Sequence, residues 1–351
     1  MIVAVLLAAG GYELLQSHGV LSKLESRISA SSTPGASAAP AQSPPAAGSS
    51  SSVASAFVFA TGTKAEPQIY SFINSATKSL NMTMYELSDT TAVNDLIARK
   101  KAGVTVRVIL DQAEKSTNQS AYNALQAGGV GVVWSSPTFA YTHQKTITVD
   151  DRESLILTGN LTASYYSTSR DYGVFDKDSM DVAAVTAVFD ADYTHSSVTP
   201  SDGDSLLWSP TTAQSRVLSV INGATKTLDV EGEEFSDAAV VNAIVARAKA
   251  GVAVRVMVES PSSYTSEIQK VVAAGGKVVG YSSSTGLYIH AKAVIADAGQ
   301  SDQTVEVGSM NYTAGSLENN RELGIILHDG SDCSLIETQF SADFSGGTAQ
   351  S

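Results

Sequence analysis

The chain has 351 residues, a formal net charge of −13 and a pI near 4.8, with 43% hydrophobic residues. That length holds two domains that each bury a core. With only 22 Lys+Arg against 35 Asp+Glu, the chain lacks the cationic surplus that displaces counterions from nucleic acid or draws a protein to a strongly anionic membrane. Cys333 is the single cysteine, which excludes an internal disulfide and the cysteine-rich zinc sites; it reads as a small buried hydrophobe.

In chain order, residues 1–9 (MIVAVLLAA) form an apolar run too short to span a bilayer. The run suits the core of an export signal, with Ala8-Ala9-Gly10 as a small-residue cleavage site, although no Lys or Arg precedes it. Residues 11–29 fit a short amphipathic helix. The stretch 31–55 is dense in Ala, Ser, Pro and Gly and cannot bury enough apolar surface to fold. The expected organisation is a signal or anchor segment at 1–27, a disordered linker at 28–56, and two halves at 57–203 and 204–351. Secretion or tethering to the cell envelope is the expected location, with the cytoplasm as the alternative.

The two halves repeat each other. Residues 69–112 align without a gap onto 217–260, with 21 identities in 44 positions. Each copy reads helix, strand, helix, strand. Ser88-Asp89 and Ser236-Asp237 signal the start of the second helix, and Gly103 and Gly251 its end. The apolar stripe Val93, Leu96, Ile97 recurs as Val241, Ile244, Val245 at helical spacing. The strands VTVRVIL and VAVRVMV are valine-rich, as buried parallel strands are. A weaker helix follows in each half, then the strand GVVW or KVVGY. The alternation predicts an α/β fold, with one mixed or parallel sheet per half covered by helices.

Each half then carries His-x-Lys-x-x-x-x-Asp: His143, Lys145 and Asp150 in the first, His290, Lys292 and Asp297 in the second, the histidines 147 positions apart. Both segments read as strands, on which residues two apart share a face, so each histidine points the same way as its lysine. A histidine and a lysine on an apolar face are costly to bury alone, and a shared anion would satisfy both pairs. Behind them come Thr158-Gly159-Asn160 with Arg170-Asp171, and Gly308-Ser309-Met310-Asn311 with Arg321-Glu322. Asp111 and Glu259, at strand ends, read as turn residues. Tyr141 and Tyr288 fit a pocket wall or the core equally.

A doubled His-x-Lys-x-x-x-x-Asp followed by Gly-Ser-x-Asn resembles the phospholipase D superfamily, over about 290 residues from Phe57 to near Phe344. The first copy departs from the pattern with Leu157 in place of glycine and Thr158 in place of serine. The resemblance implies two α/β lobes about an approximate twofold axis that share one active site. It also implies a metal-free, cofactor-free, two-step phosphodiester exchange. His143 then corresponds to the nucleophile that forms a phosphohistidine, and His290 to the general acid. Lys145, Lys292, Asn160 and Asn311 would donate to the phosphoryl oxygens, with hydroxyls from Thr158 and Ser309 added. Asp171 and Glu322 would fix the histidine tautomers, and Asp150 and Asp297 would make structural hydrogen bonds.

The substrate expected is a phospholipid at a membrane or micelle surface, cleaved to phosphatidic acid and an alcohol or transferred to another alcohol. A metal-independent endonuclease is the alternative within the superfamily, although the acidic balance counts against nucleic acid. Cardiolipin synthase-type transfer is a third, weakened by the lack of two apolar spans. A catalytically inactive envelope or binding protein is the reading from another class. With both motifs in one chain, a monomer suffices and no obligate protein partner is expected.

Overall fold

The computed structural model describes residues 54–59, 65–282 and 284–351. The apolar run 1–9, the stretch 11–29 and the linker up to residue 53 lie outside the described residues. The linker reading overreaches at its end, because Ser55 and Ala56 already belong to a strand, β1 (Ser55–Phe59), whose partner is far along the chain. A composition rule sees Ala and Ser there and has no access to that partner.

The first half builds one sheet from β1, β2 (Ser79–Met84), β3 (Thr105–Leu110), β4 (Gly131–Trp134), β5 (Thr146–Val149), β6 (Glu153–Leu157) and β7 (Ser169–Asp176). Their order is β1-β7-β6-β5-β2-β3-β4. The second half repeats it with β8 (Leu206–Ser209), β9 (Thr227–Gly232), β10 (Ala253–Glu259), β11 (Lys277–Tyr281), β13 (Ala293–Ala296), β14 (Thr304–Gly308), β15 (Glu322–Leu327) and β16 (Thr348–Ala349), while its β12 (Tyr288–Ile289) crosses to pair with β7 of the first sheet. Its order is β16-β11-β10-β9-β13-β14-β15-β8. Both sheets are mixed. The valine-rich strands run parallel (β2-β3-β4 and β9-β10-β11), and the strand after each histidine turns antiparallel (β5 on β2, β13 on β9).

The helices form where the local signals stand. Asp89 caps Thr90–Lys101 by accepting from the amides of Thr91 and Ala92, and Asp237 caps Ala238–Lys249 by accepting from Val240. Gly103 and Gly251 follow with φ of +94° and +91°, a left-handed conformation that a Cβ disfavours. Ile69, Phe72, Val93 and Leu96 pack on the first sheet, and Val217, Ile221, Val241 and Ile244 on the second, giving each lobe its own core. A third core belongs to both lobes: Tyr172, Val174, Val185 and Val188 of the first pack with Trp208, Ile289, Ile295, Leu323, Ile336 and Phe340 of the second. Burying an aliphatic side chain is worth about 1.5–3 kcal/mol, so this shared core fixes the lobes face to face. Among the described residues, no helix is long and apolar enough to cross a membrane.

Candidate active site

The His-Lys segments are not strands at the residues that matter. Thr146–Val149 and Ala293–Ala296 join the sheets after the histidines and β12 (Tyr288–Ile289) before one of them, while His143, Lys145, His290 and Lys292 themselves sit in irregular backbone. That backbone crosses to the opposite lobe. Thr142 bridges Arg321 in parallel, with Arg321 N donating to Tyr141 O (2.9 Å) and Gln144 N to Arg321 O (3.1 Å). In the other copy β12 pairs with the start of β7, and His290 N donates to Arg170 O (3.2 Å). The alternating pattern of the sequence is intact, but the partner strand belongs to the other half.

The side chains cross as well. His143 Nδ1 donates to Glu322 Oε2 at 2.8 Å, and His290 Nδ1 donates to Asp171 Oδ1 at 2.7 Å. Each lobe's histidine is therefore held by the other lobe's carboxylate. A carboxylate can only accept, so Nδ1 carries the hydrogen in both rings and Nε2 faces outward from the pair. Burial alone would raise both carboxylates. The imidazole beside each outweighs it, helped by Lys145 at Glu322 and Lys292 at Asp171, and both lie below the ordinary range.

Lys145 Nζ donates to His143 Nε2 (2.7 Å) and to His143 O (2.8 Å). The His143 ring packs edge-on to Tyr85, with centroids 4.5 Å apart, and Lys145 lies 5.1 Å from the same ring. Burial and the Lys145 charge push His143 down to about 4, against the pull of Glu322. His143 is neutral at pH 7, and its Nε2 lone pair accepts from Lys145, a bond that must give way before that nitrogen can attack. Lys292 Nζ donates to Glu233 Oε2 at 2.8 Å, and that carboxylate lies 3.7 Å from His290 Nε2.

Supporting residues surround these pairs. Asp171 accepts from Thr158 Oγ1 (2.7 Å) and Ser169 Oγ (3.0 Å). Glu322 accepts from Asn320 Nδ2 (3.0 Å) and from Ser316 Oγ. Thr158 and Ser309 are therefore not the phosphate donors expected. The Thr158 hydroxyl proton goes to Asp171, and the buried Ser309 hydroxyl donates to Leu323 O (3.3 Å) and accepts from Leu323 N (3.2 Å). Both brace the strand that carries the carboxylate. Leu157 does not divert the chain, since it pairs with Gly173 in the register that pairs Gly308 with Gly324. One glycine of each pair leaves room for the other residue.

Asn160 Nδ2 donates to Glu86 (3.2 Å), and the amide oxygens of Asn160 and Asn311 are both buried without a partner among the described residues. Two unpaired amide oxygens at matching positions in the repeat point to a ligand there; a flip of Asn311 would present N–H instead, whereas a flip of Asn160 would set its oxygen against the Glu86 carboxylate. Asp150 accepts from the amides of Thr77, Lys78 and Ser79, and Asp297 from those of Thr225, Lys226 and Thr227. They pin the turn before β2 or β9 to the end of β5 or β13, away from the histidines.

Asp111 and Glu259 are more than turn residues. Asp111 Oδ2 accepts from the amide of Thr142 (2.6 Å) and Glu259 Oε2 from that of Ile289 (3.1 Å), each one residue before a histidine. Arg170 and Arg321 also carry structure. Arg170 donates to Asp343 of the opposite lobe at 2.5 and 2.9 Å, and Arg321 pairs with Asp192 of the first lobe at 2.9 Å. Asp192 and Asp343 occupy equivalent positions near the ends of the helices Ser179–Tyr193 and Gly330–Gly346. The signal for both sets was present in the repeat, as a charge kept at the same place in each half.

Two α/β lobes with doubled His-x-Lys segments meeting at one crossed site define a member of the phospholipase D superfamily. Residues 69–193 and 217–344 match the family model described as cardiolipin synthase, PLD-like domain, and the chain belongs to that family. No protein of curated function matches it in sequence. Among solved structures it is similar to phosphatidylserine synthase from Haemophilus influenzae Rd KW20, with 13% identity, a TM-score of 0.61, and coverage of 81% of this chain and 84% of that one. It is also similar to polyphosphate kinase from Porphyromonas gingivalis, with 14% identity, a TM-score of 0.64 and 82% of this chain covered; the chain spans 50% of the kinase. Nuc from Salmonella typhimurium, a phospholipase D family member, matches 42% of this chain over 99% of its own length, with 21% identity and a TM-score of 0.38. At these identities the first two likenesses are likenesses of fold.

Proposed function

We propose that the protein is a phospholipid phosphodiesterase working through a phosphohistidine. The observation that carries this reading is the pair of crossed histidine–carboxylate contacts, each beside a buried lysine. His143 Nε2 forms a bond to phosphorus while the P–O bond to the head-group alcohol breaks, and His290 gives its Nε2 proton to that alcohol. Water then attacks the phosphohistidine, His290 takes the proton, and His143 leaves; an alcohol in place of water gives transfer. Lys145, Lys292 and the amides of Asn160 and Asn311 steady the charge on the non-bridging oxygens.

The direction of the chemistry follows from the charges. A proton on His143 would sit beside Lys145, whereas a proton on His290 sits between Asp171 and Glu233. This favours His143 as nucleophile and His290 as acid. A lipid substrate is supported by the description of the family model, which matches both halves of the chain. All the groups named belong to one chain, so a monomer acting at a lipid surface suffices.

The test gives the full chain phosphatidylcholine or phosphatidylglycerol in mixed micelles and, separately, single- and double-stranded DNA, all in EDTA. Head-group release is expected to survive EDTA and to fall at least about 100-fold in His143→Ala and in His290→Ala. Cleavage of DNA but not lipid, with the same dependence, would replace the lipid reading with a nuclease. Equal silence of wild type and variants on every substrate would leave a binding protein.

A further inference from the structure

The two halves of the site differ at one position facing a lysine. Met84-Tyr85-Glu86 and Gly232-Glu233-Glu234 follow β2 and β9 in the same repeat register, so Tyr85 and Glu233 are counterparts. In the first lobe that position puts a neutral ring against His143 and Lys145. In the second it puts a carboxylate between Lys292 Nζ (2.8 Å) and His290 Nε2 (3.7 Å), with the Tyr288 hydroxyl also donating to it. Glu233 is buried, and so are Lys292 and His290 beside it.

A carboxylate oxygen within reach of both groups stands where a phosphoryl oxygen must stand if Lys292 and His290 are to act on it. Carboxylate and phosphate accept hydrogen bonds from the same donors at similar distances. Glu233 is thus a resident anion in half of the phosphate site. Any incoming phosphate has to compete with it for Lys292 and then lie beside its charge.

We propose that Glu233 sets the charge the site accepts, admitting the single negative charge of a phosphodiester and rejecting the dianion of a phosphomonoester. The inference rests on the site being the phosphodiesterase site argued above. Its physical basis is Coulombic. Each added negative charge within about 4 Å of a buried carboxylate is strongly opposed, and a monoester carries close to two charges near neutral pH. The monoester left after cleavage is then expelled by the residue that tolerated its precursor. Tyr85 exerts no such repulsion in the first lobe, so the selection acts on the leaving-group side, next to His290.

The test measures binding, independent of turnover. Inorganic phosphate and dimethyl phosphate are titrated at pH 8 into the full chain, as wild type, Glu233→Gln, Glu233→Tyr, and Glu233→Gln combined with Lys292→Ala. The wild type is expected to hold dimethyl phosphate more tightly than the phosphate dianion. Either neutral substitution should tighten inorganic phosphate at least about tenfold while changing dimethyl phosphate far less. Adding Lys292→Ala should cancel the gain.

Unchanged phosphate affinity in folded Glu233→Gln and Glu233→Tyr overturns the proposal. So does a wild type that prefers the dianion, a measurement that needs no variant. The outcomes separate from those of the activity assay. An active lipid phosphodiesterase with unaltered phosphate affinity in the variants sinks only the role of Glu233. The expected binding pattern in a chain that cleaves nothing sinks only the phosphodiesterase reading.

Discussion

At the scale of single residues, the site's logic is the exchange of partners between lobes. Because Glu322 orients His143 and Asp171 orients His290, loss of a carboxylate should copy loss of the histidine in the other half. Glu322→Gln and Asp171→Asn should each lower kcat at least about 100-fold on a lipid. With a substrate whose leaving group needs no proton, such as a nitrophenyl phosphodiester, Asp171→Asn and His290→Ala should regain the first step alone, a burst of about one nitrophenolate per chain, because His290 must still take the proton from water in the second step. Glu322→Gln and His143→Ala should stay inactive. Rescue of the opposite pair would reverse the roles of the histidines.

The depressed His143 also fixes a pH limb. Its imidazole takes up a proton only near pH 4, instead of near 6.5, because burial and Lys145 oppose the charge. In the proposed mechanism the neutral form is the nucleophile, so kcat/KM should hold on the acid side down to about pH 5 and fall below it. An acid limb centred near 6.5 would show that the Lys145 contact does not survive in solution.

At the scale of elements, β7 and β15 each start at a residue pair that works across the interface. Arg170 and Arg321 reach the far lobe's helix, and Asp171 and Glu322 the far lobe's histidine. Breaking one buried ion pair strands the other charge, at a cost of about 3–5 kcal/mol. Arg321→Met should destabilise the chain by roughly that much in urea unfolding, and adding Asp192→Leu should recover most of it, since an apolar pair leaves no orphan. If Arg321→Met alone is neutral, the latch contributes nothing. Asp111 and Glu259 act one step earlier, each tying the end of a parallel strand to the amide before a histidine.

For the whole molecule, stability should depend on pH through carboxyl groups that folding seals away. Glu231 and Glu306 are fully buried, and burial pushes each up to about 8. A folded-state value above the unfolded value of 4.5 means that the folded chain holds more protons between the two. The stabilisation is complete below about pH 4.5 and is lost as pH rises through 8. Thermal unfolding should therefore come several degrees lower at pH 9 than at pH 6, with roughly 2–4 °C for each kcal/mol lost. Glu306→Gln should flatten the dependence. A melting temperature that is level from pH 6 to 9 in both proteins would contradict the burial of these carboxyls.

The sequence by itself determined a great deal. The repeat located two equivalent lobes, valine runs and Asp–Gly punctuation located their strands and helices, and the doubled His-x-Lys segment marked the place where the lobes cross. Local pattern carries such information because propensity, capping and burial act over a few residues. Tertiary structure decided the pairings. Nothing within 57–203 says that His143 will be held by Glu322, that β12 will extend the first sheet, or that Thr158 and Ser309 will turn from a phosphate to a neighbouring strand. Those contacts join residues more than 100 positions apart or depend on which face of a strand meets the other lobe. A third core shared by both halves selects one geometry among many that the same local pattern allows. The difference between Tyr85 and Glu233 was legible as letters, but its meaning required knowing that both positions face a lysine.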